Sequence, residues 1–359
     1  MSQLKDLPTE LVGTILSYST LQDSFLWNTV SKQWNQLLRE YVFSRVFTYC
    51  ELHANNDFSY SSKEIKEITN QDDAGDDDDD EYGGYQSYQL ENILMRRGHS
   101  AVSLDDESKI LVFGGFCGDR HCNELFVVDI DKKTVERKVE NRTSDKDVLD
   151  ESIMMGRSFH PMVLISENKF LVTGGYCNYT LDNCPNLRDT WIIEFSENDF
   201  KFTKLNQSGD VPPPMESHSL VYYNGYCISY GGSSFFEDDD LGMKHKDVYA
   251  LNVESGSWTK LRIKQQERGP PALTGHSCHL IEGTNKMILY GGYDQENSTH
   301  NSLWMLHIVL PDETKFFNEF SYWEEIIPQT NSYVPEPTLY HRSLLLQNRL
   351  LVVYGGALD

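Results

Sequence analysis

Histidines, cysteines and carboxylates recur at matching places along this chain, and these residue types ligate metals and move protons. Five histidines, His99, His160, His218, His276 and His341, each stand 13 to 15 residues ahead of a glycine pair. Gathered into a ring, they could hold a metal or carry acid–base steps. An imidazole copied into the same place in every unit is better explained as part of the unit's own framework, bonded to a neighbouring backbone. Cys117-x4-Cys122 and Cys177-x6-Cys184 lie at equivalent places after two of the glycine pairs. They could meet and hold zinc, but neither spacing is that of a zinc knuckle. Glu237-Asp238-Asp239-Asp240 could coordinate a cation or attract a basic peptide, and reads more simply as a solvated loop. Glycine-rich phosphate loops, His-Glu-x-x-His and Gly-x-Ser-x-Gly are absent. No catalytic residue, metal site or cofactor is assigned, and the chain is read as a non-enzyme.

The elements that must position these residues follow from the same repeat. Five apolar runs end in two glycines, at Gly114-Gly115, Gly174-Gly175, Gly231-Gly232, Gly291-Gly292 and Gly355-Gly356. The first glycines are 60, 57, 60 and 64 residues apart, so one supersecondary unit is copied in an array. The unit can be read at Ser217–Ile263. Ser217–Tyr223 alternates as a strand, Asn224-Gly225 signals a two-residue hairpin, and Tyr226–Tyr230 returns to the glycines. Asp247–Val253 and Trp258–Leu261 supply a third and a fourth strand. Four short antiparallel strands per unit, repeated, are the pattern of propeller blades. The glycines end the second strand where a Cβ would clash with the neighbouring blade.

The chain has 359 residues, is 39% hydrophobic and carries a formal net charge of −24. That charge argues against non-specific binding to nucleic acid or to an anionic membrane. No apolar stretch long enough for a membrane span occurs, and the first residues lack a secretory layout. Seven cysteines without such a signal read as reduced thiols, in the cytoplasm or nucleus. Three regions emerge: a helical module at 1–45, an acidic and largely disordered linker at 46–95, and the repeats at 96–359. In the first, Leu7, Leu11, Ile15 and Leu16 share a helical face, and Val30, Trp34, Leu37, Leu38 and Tyr41 make a second stripe. In the second, the run Asp72–Glu81 repels itself and stays solvated.

The double glycine, a Tyr or Trp in strand three and an aromatic opening strand four resemble the kelch family. The matching residues are Trp191 then Phe202, Tyr249 then Trp258, and Trp304 then Trp323; unit one has only Phe126 and then Val135. The N-terminal residues Leu7-Pro8-Thr9-Glu10-Leu11, Ile15-Leu16-Ser17-Tyr18, Leu21-Gln22-Asp23 and Val30-Ser31-Lys32-Gln33-Trp34 resemble an F-box. Ser19, Thr20 and Ser24 stand where that family usually has Leu, Pro and Leu. The resemblance implies a mainly β, kelch-type propeller of about five four-stranded blades, the last one possibly incomplete, preceded by a small helical F-box. It implies a substrate-recognition subunit of a cullin-RING ubiquitin ligase. Leu7, Pro8, Leu11, Ile15, Leu16, Val30 and Trp34 would dock on the Skp-type adaptor, and through it on the cullin. The propeller would bind a target protein. The alternatives are an interaction scaffold outside any ligase and a metal-dependent kelch-propeller enzyme.

In a propeller the loops leading into strand one and the loops after strand two share a face, and loops carry function. The first set offers Arg96, Arg97, Arg157 and Tyr340; the second offers Phe116, Tyr176, Phe235, Phe236 and Tyr293. Arginine and aromatic anchors suit a protein-binding surface, so Arg97, Phe116, Arg157, Tyr176, Phe235, Phe236, Tyr293 and Tyr340 are the expected target-binding residues. Only Ala357, Leu358 and Asp359 follow the last glycine pair, which leaves unit five two strands of its own. Tyr85–Ile93, where a fourth strand stands in the other units, is expected to pair with that sheet and help close the ring, with Val46–Leu52 a less likely donor of the third strand. The other possibility is an incomplete propeller with an exposed edge.

Overall fold

The computed structural model describes residues 47–53, 59–65, 96–104, 109–117, 120–129, 134–139, 153–177, 185–196, 199–236, 239–311, 319–328, 335–346 and 348–357. The F-box residues, the acidic run and Tyr85–Ile93 lie outside the described residues. Two strands, β1 (Phe47–His53) and β2 (Ser59–Ile65), precede the repeats. Unit one folds as β3 (Ser100–Ser103), β4 (Lys109–Phe113), β5 (Leu125–Asp129) and β6 (Thr134–Val139). Unit two is β7 (Met162–Ser166), β8 (Lys169–Thr173), β9 (Thr190–Ser196) and β10 (Asp199–Lys204). A short strand β11 (Ser208–Gly209) leads into unit three, made of β12 (Ser219–Tyr223) and β13 (Tyr226–Tyr230), a hairpin of β14 (Ser233–Phe236) and β15 (Asp239–Lys244), then β16 (Val248–Asn252) and β17 (Ser257–Lys260). Unit four is β18 (Ser277–Ile281), β19 (Lys286–Tyr290), β20 (Leu303–His307) and β21 (Tyr322–Pro328). Unit five contributes β22 (Arg342–Leu346) and β23 (Leu350–Tyr354).

In units one to four the strands pair antiparallel in chain order, with the β14–β15 hairpin forming a separate small sheet. The Asn224-Gly225 turn has positive φ at both residues, 48° and 84°, the twist a two-residue hairpin needs. The second strand of each blade lies between neighbouring blades, which is why its sequence is nearly all apolar. β4, β8, β13 and β19 are buried at almost every position. Strands buried on both faces read as continuous hydrophobic runs rather than as alternating ones.

The core is a series of seams between blades. Phe113, Leu125, Phe170 and Trp191 fill the one between units one and two. Leu171, Cys227, Leu251 and Trp258 fill the next. Ile228, Tyr230, Met287 and Leu289 join units three and four, and Tyr290, Met305, Leu351 and Val353 join units four and five. Between units five and one, the Arg342 guanidinium donates to the His99 carbonyl at 3.4 Å. The glycines set how close the blades come. A Cβ at Gly114 would stand 2.6 Å from His160 Cε1 and 2.8 Å from the Arg157 carbonyl, both in the next unit.

The closure of unit five differs from the expectation. Its third strand is β1, antiparallel to β23 with Thr48 opposite Val353 and Glu51 opposite Leu350. Its fourth is β2, antiparallel to β1. The third strand comes from the segment given as its less likely donor, 46–52, and β2 takes the fourth place, where Tyr85–Ile93 was expected. These strands fall inside the 46–95 stretch read as linker, so part of that stretch belongs to the propeller. The physical reason is edge pairing: the backbone groups of β23 need a partner whichever part of the chain supplies it. β2 also meets β21 of unit four in parallel at Ser59–Ile327 and Tyr60–Pro328.

Candidate functional site

Every unit builds the same short frame at one end. The residue two before the repeat histidine pairs with the residue after the glycine pair: Arg97 with Phe116, Ser158 with Tyr176, Glu216 with Ser233, Thr274 with Tyr293, and Leu339 with Ala357. The residue between, at Gly98, Phe159, Ser217, Gly275 and Tyr340, takes a positive φ of 53° to 66°. In that turned conformation its N–H reaches back to the equivalent carbonyl of the preceding unit. Phe159 donates to Gly98 at 2.6 Å, Ser217 to Phe159 at 2.7 Å, Gly275 to Ser217 at 3.2 Å and Tyr340 to Gly275 at 2.8 Å. A non-glycine residue there costs on the order of 1 kcal/mol, and this hub of backbone bonds holds it in place.

The histidines pack behind the hub. His99, His160, His218, His276 and His341 are all buried. Burial drives the pKa of His160 well down, that of His218 and His341 to about 3 and that of His276 to about 4. His99 Nδ1 lies 3.1 Å from the Arg96 carbonyl, the backbone bond expected of all five. His276 and His341 reach the hydroxyls of Ser219 and Ser277 in the preceding unit, at 3.1 and 2.8 Å. No hydrogen-bond partner among the described residues meets the ring nitrogens of His160 or His218. The rings serve mainly as packing against the glycines of the adjoining blade.

In front of the hub lies a cleft of about 410 Å³ spanning units one to three. Phe116, Phe159, Tyr176 and Phe235 form its aromatic walls, and Arg97, His121 and Glu216 are its polar groups. The Arg97 guanidinium lies 4.9 Å over the Phe116 ring. Phe116, His121 and Tyr176 continue as a tilted row, with centroids 5.0 and 5.2 Å apart. The Ser158 hydroxyl is 3.0 Å from His121 Nδ1. Phe235 is carried by β14, and its backbone N–H donates to Asn186 Oδ1 at 2.6 Å. Glu216 is only 6% exposed, and its Oε2 has no hydrogen-bond partner among the described residues. Burial pushes its carboxyl up to about 8.

Of the expected face residues, Arg97, Phe116, Tyr176 and Phe235 come together in this cleft. Tyr340 packs against Phe159 and Tyr293, with centroids 5.9 Å from each, beside the cleft rather than lining it. Lys244 sits 4.6 Å over the Tyr293 ring. Phe236 ends β14. Arg157 is not on the face: it is fully buried and paired with Asp189 at 2.7 Å, and it also donates to the Gly174 carbonyl. Burial alone would raise the Asp189 pKa; the Arg157 charge and hydrogen bonds override it and hold it down. Arg96 is tied in the same way to Glu124 and the Gly114 carbonyl. An arginine three residues before the histidine thus locks the blade, whereas one two residues before it faces the cleft. His121, Phe159 and Glu216 went unread in the sequence. Counting back two residues from each histidine, as for Arg97, would have found Glu216.

The cysteines differ from the reduced-thiol reading. Cys117 and Cys122 form a disulfide, S–S 2.05 Å, across the loop that carries Phe116 and His121. Cys177 is buried and in no disulfide among the described residues, and Cys184 lies outside them. Glu124 is the third potential metal ligand near the pair. It already meets Arg96, Arg120 and Arg137, and that positive surrounding opposes a cation.

The family model described as the KLHDC2/KLHL20/DRC7 Kelch-repeats domain matches residues 86–268 and 237–359. The F-box/kelch-repeat protein At1g51550 of Arabidopsis thaliana is 26% identical over 280 residues, 73% of this chain and 51% of that protein. Kelch repeat-containing protein 2 of Saccharomyces cerevisiae is 26% identical over 200 residues, 54% of this chain and 21% of that protein. The host cell factor of Drosophila melanogaster is 28% identical over 271 residues, 69% of this chain and 16% of that protein. The chain spans about half or less of the length of these relatives. With the family match running through all five glycine pairs and the blades built as described, the chain belongs to the KLHDC2/KLHL20/DRC7 kelch-repeat family, and its mainly β propeller is a protein-interaction domain.

Proposed function

We propose that this chain is the substrate receptor of a cullin-RING ubiquitin ligase. Residues 1–45 bind the Skp-type adaptor, and the cleft end of the propeller binds the target. The observation that carries the reading is the convergence of Arg97, Phe116, Tyr176 and Phe235, from three units, on one concave site. Aromatic and arginine groups around a pocket are the usual anchors of a protein interface. The F-box-like string at Leu7–Trp34 and similarity to a protein named for an F-box and kelch repeats support the adaptor half. The receptor itself makes no bond. It brings a target lysine to the ligase's thioester at high effective concentration.

The test is affinity capture of the full chain under proteasome and neddylation inhibition. Adaptor and cullin should co-purify, and Leu7→Ala with Pro8→Ala should remove both. Phe235→Ala should weaken target capture while the melting temperature of the propeller stays within a few degrees. Capture that ignores both variants would defeat the reading. A scaffold outside any ligase is the second reading, favoured by relatives whose names carry no F-box. It predicts capture of the propeller's protein ligand without turnover of that ligand.

A further inference from the structure

We infer that the cleft takes a lysine or arginine side chain of a basic segment in the protein ligand, with the Glu216 carboxylate as its ion-pair partner. This rests on the assignment of the cleft to target binding and adds the chemistry of what enters it. Glu216 occupies the unit-three place that Arg97 holds in unit one, fixed by its bridge to Ser233. It lines the cleft, is 6% exposed, and its Oε2 lacks any hydrogen-bond donor among the described residues. A buried carboxyl without a partner is destabilising unless it keeps a proton or gains a cation. Here burial alone sets its raised pKa, and the Arg97 charge gives it no relief. The site is thus one cation short.

The surroundings favour that cation over an anion. Phe116, Tyr176 and Phe235 line the cleft, and aromatic rings attract positive charge and pack against methylenes. The whole chain carries a net charge of −24, which draws basic partners and repels acidic ones. Among the lining residues Arg97 is the permanently charged cation, and its guanidinium is already laid on the Phe116 ring. The titratable or charged groups facing Glu216 are Arg97, His121, Tyr176 and Tyr340. At pH 7 the neutral carboxylic acid meets the ammonium or guanidinium, forms the carboxylate–cation pair, and gives its proton to the buffer.

The test uses the folded full chain on arrays of random nonapeptides whose central residue is fixed as Lys, Arg, Asp, Glu or Ala. The Lys or Arg arrays should bind, and comparing the two tells which cation fits. Glu216→Gln, a neutral isostere, should weaken the best basic peptide at least about ten-fold. Calorimetry at pH 7 in two buffers of different ionisation enthalpy should show release of about one proton by the wild type and none by Glu216→Gln. Preference for Asp or Glu, equal binding by Glu216→Gln, binding without proton release, or no binding by any array would each overturn the inference. None of these touches the receptor reading, which falls only if adaptor capture and the Phe235→Ala effect fail.

Discussion

Arg97 and Arg157 look interchangeable in the chain, each an arginine just ahead of a repeat histidine, yet one residue of offset separates their roles. Arg157 is fully buried between Asp189 and the Gly174 carbonyl. Arg97 is exposed and lies on Phe116. Breaking one side of a buried pair leaves an uncompensated charge and costs about 3–5 kcal/mol. Arg157→Ala should therefore lower stability by that order in urea denaturation, and Arg97→Ala should stay within about 0.5 kcal/mol. Equal losses would mean that both arginines lock blades. The offset matters because adjacent residues of an extended segment point to opposite sides. The register that decides the side is a property of the sheet.

Among the elements, the second strands and their glycine pairs were the most legible, since a run buried on both faces leaves an apolar signature of its own. The Asn224-Gly225 hairpin was equally plain, for few other residues accept positive φ at both positions. The pairing of β1 with β23 was poorly legible. The two strands are some 300 residues apart in sequence, and an antiparallel edge accepts any strand of suitable length and pattern. Removing residues 47–65 should uncover the β23 edge, lower the melting temperature and produce concentration-dependent association in light scattering. Removing residues 85–93 should leave this sheet intact. The reverse result would return closure to Tyr85–Ile93.

For the whole molecule, the repeated histidines set the response to acid. His160, His218, His276 and His341 have depressed pKa values in the folded state because burial disfavours the imidazolium. Unfolded, each titrates near 6.5, so below that pH the unfolded chain binds protons that the folded one does not. Their contribution is fully present above pH 6.5 and is lost as pH falls towards 3 to 4. Glu216 acts in the opposite sense. Its folded carboxyl keeps a proton up to about pH 8, so it costs stability progressively as pH rises from about 4.5 to 8. Four histidines outweigh one carboxyl, so stability should fall from pH 6.5 to 4, and Glu216→Gln should raise stability at pH 8. A flat urea midpoint between pH 6.5 and 4 would exclude the histidine account.

The sequence alone determined the repeat, its strand order and the end of each blade that carries the loops. These are written in local patterns: apolar runs, turn residues and a glycine wherever a neighbour comes too close. Tertiary structure decided which of two adjacent polar residues faces the cleft, as with Arg96 and Arg97. It decided that distant segments share one sheet, and that Glu216 Oε2 is buried with no hydrogen-bond partner among the described residues, beside aromatic rings from three units. Each of these depends on what other blades place alongside, and a periodic sequence carries no record of its neighbour across a seam.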